Sequence, residues 1–419
     1  MSTGVQRRTI RTLSVVQILT GVGVASGVAA GSLLVAAVSG SEFLAGLAQT
    51  SGVIGAALAA VPLARLSSRR GRRAGLISGL VAATAGALVV ITGAIVDQVV
   101  IILLGTLLVG VATAVGLQVR YAATDLATPV RIARDLSVVV WATTIGAVLG
   151  PNLLQPAADV ADGLGLPPLS GPYLVTGAAL ALAAVVIAAA LRPDPLLTAR
   201  VNRGETKQPP HVNFKVALRI VRASFDATYG VLALAIGHCV MVMVMVMTPV
   251  HMQHVDVTLT VIGLVISVHI LGMYAFSPLV GMVTDRAGPR RVIPVGAGIL
   301  LTSTVIAGTA SGDGVIQLGV GLFLLGLGWS FTLIAGSALL TESVAPADRP
   351  AAQGVGDTLM NVAAAVGGVV AGLVVNQASY GWLNVLAAVL VAGLLAVAVG
   401  RWAGSHAQRN RADQPSGVS

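Results

Sequence analysis

The sequence predicts an all-α integral membrane protein, with twelve transmembrane helices in two six-helix repeats. Three observations carry that reading. The first is composition. Of the 419 residues 56% are hydrophobic and 10% are charged, whereas a soluble domain carries roughly 25% charge. The second is the placement of the 25 Lys and Arg residues. Apolar stretches alternate with short polar gaps, and the basic residues fall only in every second gap and at the two ends. Arg7, Arg8 and Arg11 precede the first stretch. The even gaps hold cations at 65–73, 120–134, 192–222, 286–291 and 349, and 401–411 follow the last stretch. The odd gaps hold carboxylates: Glu42, Asp97, Asp159, Asp162, Asp256 and Asp313. Cationic loops resist translocation, so this alternation fixes an even number of spans with both termini in the cytoplasm. The third observation is a constant offset. Gly71 and Gly288 sit in matching basic turns, and 288 − 71 = 217. The same offset relates Asp125 to Glu342, Pro129 to Pro346 and Gly150 to Gly367.

A membrane-crossing helix needs about 20 mainly apolar residues. Twelve stretches qualify: 13–38, 43–64, 74–96, 99–121, 136–157 and 172–191, then 231–250, 259–283, 292–310, 315–338, 351–375 and 382–402. Trp382 and Trp402 bracket the last one, as interfacial anchoring predicts. The chain therefore divides into an N-terminal six-helix bundle (1–191), a cytoplasmic linker (192–230), a C-terminal six-helix bundle (231–402) and a cytoplasmic tail (403–419). The middle of the linker, 202–210, is polar and contains proline. Beyond it Phe214, Leu218, Val221 and Phe225 share one helical face opposite Lys215, Arg219, Arg222 and Asp226. That pattern predicts an amphipathic helix lying on the inner leaflet. Parallel repeats imply two bundles around an axis along the membrane normal, with a substrate site between them.

The net charge of +9 does not indicate nucleic acid, because the cations flank membrane spans and face anionic headgroups. The single cysteine, Cys239, excludes an intramolecular disulfide framework. Arg outnumbers Lys 23 to 2, and Ala, Val and Gly dominate. That bias points to a GC-rich bacterial genome and hence to a bacterial plasma membrane. The basic, apolar N-terminus has no convincing cleavage site and reads as an uncleaved first span. No phosphate-binding Gly-Lys-Ser/Thr loop is present, so ATP is not the expected energy source.

One loop has a specific motif. Gly281, Asp285, Arg286, Gly288, Arg290 and Arg291 fall in the order glycine, three residues, Asp-Arg, any residue, Gly, then basic residues. This closely resembles the signature loop of the major facilitator superfamily, in the place where its second copy belongs. The first copy is degenerate: Ala64 replaces the glycine and Ser68 the Asp, while Arg69, Gly71, Arg72 and Arg73 remain. Its physical logic is a gate. Glycine at 281 permits close helix approach, and Asp285 can accept hydrogen bonds from a helix N-terminus carrying partial positive charge. Arg286 and Arg290 are expected to reach Glu342, and Arg69 or Arg73 to pair with Asp125. The fifth stretch carries Gly146, Gly150 and Pro151, which resembles the glycine, three residues, Gly-Pro motif of drug:proton antiporters. That resemblance implies export rather than uptake, although the same glycine spacing serves plain helix packing.

Ionisable residues inside a membrane are costly and mark function. Asp357, two turns into the eleventh span, is the only carboxylate placed well inside a span; His269 and His238 lie near the middles of the eighth and seventh. These three are the proton-coupling candidates. The drug exporters it resembles often carry an acidic residue in span one or four, and this chain has none there. Gln17, Gln49, Thr143, Trp329 and Asn361 are candidates to line the substrate cavity. The methionines at 241, 243, 245 and 247 alternate around the helix and read as a deformable apolar wall rather than a metal site. No metal, cofactor or nucleic acid is expected. The expected partners are a small molecule, protons and the bilayer, with the chain acting as a monomer. The expected function is proton-coupled efflux of a hydrophobic or amphipathic small molecule by alternating access. Proton-coupled uptake of a metabolite is the alternative, which a basic cavity residue would favour. A polytopic enzyme or sensor would need a catalytic cluster or soluble domain, and neither is visible.

The alternation of charge generates a direct test. Cysteines placed at 42, 159 and 313 are expected to react with an impermeant thiol reagent from the periplasm, and cysteines at 71, 202 and 288 only from the cytoplasm. Labelling of position 71 from outside alone would overturn the arrangement.

Overall fold

The computed structural model describes residues 2–40, 42–204, 213–253, 259–311 and 313–412. Among them the chain is helical throughout. The helices are α1 (Ser2–Ser39), α2 (Glu42–Arg70), α3 (Arg72–Ile95), α4 (Val99–Ala122), α5 (Ile132–Asn152), α6 (Leu154–Gly163), α7 (Gly171–Ala190) and α8 (Pro195–Asn202). They continue as α9 (Phe214–Ala223), α10 (Phe225–Gln253), α11 (Leu259–Tyr274), α12 (Ser277–Ala287), α13 (Pro289–Gly308), α14 (Val315–Glu342), α15 (Arg349–Gln377) and α16 (Tyr380–Ala412). Among the described residues twelve spans are long and apolar enough to cross a membrane. The eighth consists of α11 and α12 together, broken after Tyr274. Pro278, in the first turn of α12, has no N–H to give to the turn before it, which accounts for the break. The apolar run at 259–283 predicts one continuous helix, and the proline interrupts it. The polar middle of the linker and Asp256 fall largely outside the described residues.

The amphipathic linker helix packs part of its apolar face on the second bundle. Ala217 and Val221 of α9 are buried in a cluster that also contains Ala352 and Val355 of α15. An apolar helical face is satisfied equally by acyl chains or by a neighbouring helix, and here α15 supplies the neighbour. Asn213 caps α9 by accepting from the Val216 N–H at 2.9 Å.

The first half builds its own apolar cores, around Leu76, Leu80 and Val115 and around Val35, Val90 and Tyr173. The large core of the second half takes in Ile132, Ala133, Leu136 and Val140 from α5. The two bundles are therefore pressed together at the arginine-rich face, where α5 begins. Glycine makes this possible. A Cβ on Gly281 of α12 would lie 2.1 Å from Ser137 Oγ of α5, and one on Gly354 of α15 would lie 2.5 Å from Ala64 Cβ of α2. The internal offset relates the two contacts, since 281 − 64 = 217 and 354 − 137 = 217. Each pseudo-symmetric contact thus sets one glycine against one small side chain. The glycine is on α12 in the first contact and on α15 in the second. Apolar lipid gives no hydrophobic drive for helix association, so such close small-residue packing is what holds bundles together.

These contacts predict how the interface responds to bulk. Gly281→Val and Gly354→Val should each force the halves apart at the arginine-rich face. Spin labels spanning α5–α12 and α2–α15 should then report longer distances. Gly298 has nothing within 4 Å of a built Cβ, so Gly298→Val is the silent control. An unchanged α5–α12 distance in Gly281→Val would refute the glycine contact.

Candidate functional site

The innermost polar link between the halves is an ion pair. Arg120 lies in the last turn of α4 and Asp357 in the third turn of α15. Arg120 Nη2 donates to Asp357 Oδ1 at 2.6 Å, and the two side chains are 2% and 0% exposed. The guanidinium lies over the Tyr121 ring, 4.7 Å from its centroid, and Nη2 also reaches Tyr121 Oη at 3.2 Å. Arg120 Nε and Nη1 and Asp357 Oδ2 have no protein partner. Asn361 donates to the Asp357 backbone carbonyl at 2.8 Å, which ties it to its own helix. A charge at this depth is tolerable only when paired. Read linearly, Arg120 belongs with the loop cations at 120–134, which leaves Asp357 without a partner. One signal was present: Tyr121, Ala122 and Ala123 follow Arg120, so the apolar stretch runs past it.

A second polar layer lies nearer the arginine-rich face. Arg72, at the start of α3, donates through Nε to Asp125 Oδ2 at 2.8 Å and through Nη2 to Asp125 Oδ1 at 3.1 Å. Nη2 also reaches across to Gln353 Oε1 of α15 at 2.8 Å, and Gln353 Nε2 donates to Thr341 at 3.2 Å. Burial raises the Asp125 carboxyl from its ordinary value, and the adjacent Arg72 guanidinium opposes that rise. The partner of Asp125 is thus Arg72, where the sequence reading named Arg69 or Arg73. Arg69 is exposed. Arg73 instead donates its backbone N–H to Asp194 Oδ2 at 2.8 Å and its side chain to the Ala188 carbonyl at 2.7 Å. Asp194 also accepts from the N–H groups of Leu196 and Leu197, so one carboxylate serves the starts of both α3 and α8. Gly71 makes this possible. Its φ is +91°, and a Cβ there would lie 2.5 Å from Asp194 Oδ2. Sequence reasoning did not single out Asp194.

In the second half Asp285 crosses to α5. Its two oxygens accept from the backbone N–H groups of Ala133 and Arg134, each at 2.9 Å. These are among the orphan donors of a helix N-terminus, where the dipole favours a carboxylate. Arg290 pairs with Asp226 of α10, not with Glu342. Asp226 opens α10 and approaches Arg290 from the neighbouring helix start, while Glu342 closes α14 with its side chain exposed. Arg286 and Arg291 are also exposed.

Within electrostatic reach of Arg120 is an aromatic group in the second half. Trp329 Nε1 donates to His238 Nδ1 at 2.8 Å, so that nitrogen accepts and the neutral ring carries its proton on Nε2. Tyr274, at the break between α11 and α12, meets Trp329 edge-on with centroids 5.6 Å apart. His238 and Tyr274 both lie within electrostatic reach of Arg120. His269 is elsewhere: buried between α11 and α14, it donates from Nδ1 to the Leu322 carbonyl at 2.8 Å. Gln17 Nε2 of α1 donates to Thr143 Oγ1 of α5 at 2.9 Å, and Gln49 is exposed. Gly146 and Gly150 face α1. A Cβ on Gly146 would lie 2.6 Å from the Ile18 carbonyl, and one on Gly150 2.5 Å from Ala25 Cβ. Ser26 donates to the Gly150 carbonyl at 3.0 Å. Pro151 follows on an exposed face.

The sequence profile of the Major Facilitator Superfamily matches residues 13–258 and 230–417. The chain is 38% identical over 394 residues to the uncharacterized MFS-type transporter YdeG of Bacillus subtilis (strain 168), covering 94% of this chain and 91% of that one. It is 27% identical over 350 residues to the riboflavin transporter RfnT of Brucella anthropi, covering 82% of each. The fold is similar to that of the human organic anion transporter MFSD10, with a TM-score of 0.74 at 14% identity, covering 94% of this chain and 99% of that one. It is also similar to the proton:xylose symporter XylE, with a TM-score of 0.73 at 15% identity, covering 94% and 97%.

The buried pair has a stability signature. Arg120→Ala strands the Asp357 carboxylate and should cost about 3–5 kcal/mol, the range for halving a buried ion pair. The double change Arg120→Gln with Asp357→Asn removes both charges and should be far milder. Thermal unfolding in detergent distinguishes them. Equal losses in the single and double variants would mean that the charges are not coupled.

Proposed function

The chain belongs to the major facilitator superfamily, and from that premise we propose that it is a proton-coupled secondary transporter in which Arg120–Asp357 is the coupling site. It is a multi-pass membrane transporter rather than an enzyme. The observation that carries the proposal is a charge pair whose members belong to different bundles. Protonating Asp357 would leave a neutral acid that holds Arg120 far less tightly. Proton arrival would thus weaken a contact that keeps the bundles together at one end. The Lys/Arg alternation supports assigning that end to the cytoplasm of a bacterial plasma membrane, with both termini there. The halves 1–191 and 231–402 would then rock about a site between them, with Asp285 on α5 and Arg72 on Gln353 as further contacts made on closure.

For direction, the Gly146, Gly150 and Pro151 motif supports efflux of a hydrophobic or amphipathic molecule in exchange for protons. The motif's contact with α1 is consistent with a bend set by helix packing. Uptake is the second reading, and one observation favours it: Arg120 is a basic residue buried at the bundle interface. In either direction a monomer with a small-molecule substrate is sufficient.

Transport in inverted and right-side-out vesicles tests both points. Asp357→Asn should reduce proton-driven accumulation to about the equilibrative level while sparing substrate exchange. His269→Gln should retain it, because its hydrogen bond stays within one half. Uphill transport with normal pH dependence in Asp357→Asn would show the carboxylate to be structural. The vesicle orientation that accumulates substrate decides between export and uptake.

A further inference from the structure

Arg120 has more hydrogen-bonding capacity than its surroundings use. A guanidinium carries five N–H donors. Here only Nη2 is engaged, to Asp357 and Tyr121, while Nε and Nη1 are buried without a partner. Asp357 Oδ2 is likewise buried and unpaired. Buried polar groups are normally satisfied, and exceptions call for a cause. The unused donors belong to a residue that is 2% exposed and lies over the Tyr121 ring, with Tyr274 in electrostatic reach and Trp329 edge-on to Tyr274. A planar donor fork with aromatic faces beside it suits a carboxylate attached to a ring.

We infer that Arg120 is the recognition point for the anionic group of an aromatic carboxylate substrate, which takes the place of Asp357 on the guanidinium. This rests on the proposed coupling site and gives it a substrate class. A substrate carboxylate that displaces Asp357 satisfies Arg120 bidentately, but it leaves Asp357 unpaired. The charge balance closes when Asp357 takes a proton. The other groups around the pair do not supply that balance. Tyr121 from α4 and Tyr274 from α11 are neutral, His238 from α10 holds Trp329 in its neutral form, and Arg72 from α3 is already paired with Asp125. Anion and proton therefore bind together, and both break the bridge between the bundles. Such a cycle moves proton and anion in the same direction, which places it with the uptake reading rather than with exchange.

The test uses full-length purified protein with Trp329 as its sole tryptophan, the other three being changed to Phe. The probes are 1-naphthoate, its neutral amide and 1-naphthylmethylamine, with quenching of Trp329 as the readout at pH 6 and pH 8. Naphthoate should bind more tightly at pH 6 and at least tenfold more tightly than the amide or the amine. Arg120→Gln should lose at least tenfold for naphthoate, about 1.4 kcal/mol, and leave the amide unchanged. Arg120→Lys, which keeps the charge without the fork, should fall between. Unchanged amide binding and gel-filtration behaviour serve as the folding control. Asp357→Asn should bind naphthoate equally at both pH values. The inference is overturned if no naphthoate binding occurs, if the amide binds as well as the acid, or if Arg120→Gln binds naphthoate normally. Loss of proton-driven transport in Asp357→Asn alongside normal naphthoate binding in Arg120→Gln would keep the coupling site and remove the anion subsite. Naphthoate binding that needs Arg120 but ignores pH would do the reverse.

Discussion

Two opposite charges placed at membrane depth constrain everything around them. Arg120 and Asp357 stabilise each other only while the bundles touch, because one belongs to each half. The other links behave differently when the halves part. Arg72 would lose Gln353 but keep Asp125, its partner in its own half. Asp285 would lose two backbone N–H groups at the end of the spans, where water can replace them. Separating Arg120 from Asp357 alone strands two full charges, at an effective penalty of several kcal/mol per ion. Any opened state must neutralise, solvate or re-pair both groups. A proton on the acid meets one half of that demand, and an anion on the guanidinium meets the other.

The two halves meet this constraint unequally. The offset of 217 sets Ser68 against Asp285 and Ala64 against Gly281. Steric complementarity survives the divergence, because Gly354 on α15 compensates for the missing glycine on α2. Electrostatic complementarity does not survive in the same form. A serine at 68 brings no charge to the start of α15, as Asp285 does for α5. The first half instead reaches α15 through Arg72 and the neutral amide of Gln353. At the end of the spans one side of the interface is thus tied by a carboxylate on a helix terminus and the other by a guanidinium on an amide, beyond the ion pair that α4 makes with α15.

The span number, the repeat and the family were legible because they rest on periodic, one-dimensional signals: apolar length, alternating cations and a fixed offset. Asp285 was legible for the same reason, since its motif is local. Arg120 was not, because a linear reading assigns a cation to its nearest polar gap, and its partner lies 237 residues away. Asp194 was hidden for a related reason, as its value lies in reaching the start of α3 from beyond α7. The orientation of α9 was beyond the sequence because an apolar face does not reveal whether lipid or α15 covers it. The exchange of Arg69 and Arg73 for Arg72 is a matter of helix phase. Residues in one basic turn point in different directions, and only Arg72 of the three reaches Asp125.

Phase and partner also separate the three ionisable candidates. His269 gives its Nδ1 proton to Leu322 within the second half, and His238 accepts from Trp329 within the same half. A proton gained by either ring changes bonds inside one bundle. A proton gained by Asp357 changes a bond between bundles. Alternating access is a movement of one bundle against the other, so a titration can drive it only if the two arrangements of the bundles differ in their affinity for the proton. The arrangement seen sets the Asp357 carboxylate against a guanidinium, and parting of the bundles in the proposed cycle would remove that partner. Neither histidine experiences such a difference through its hydrogen bond. His238 can still tune the aromatic group within reach of Arg120, since a second proton on it would end its acceptance from Trp329 and free the indole to turn. Under the proposed cycle, substrate shape would be read by Trp329 and Tyr274 in one bundle, and charge exchanged by a pair that both bundles share.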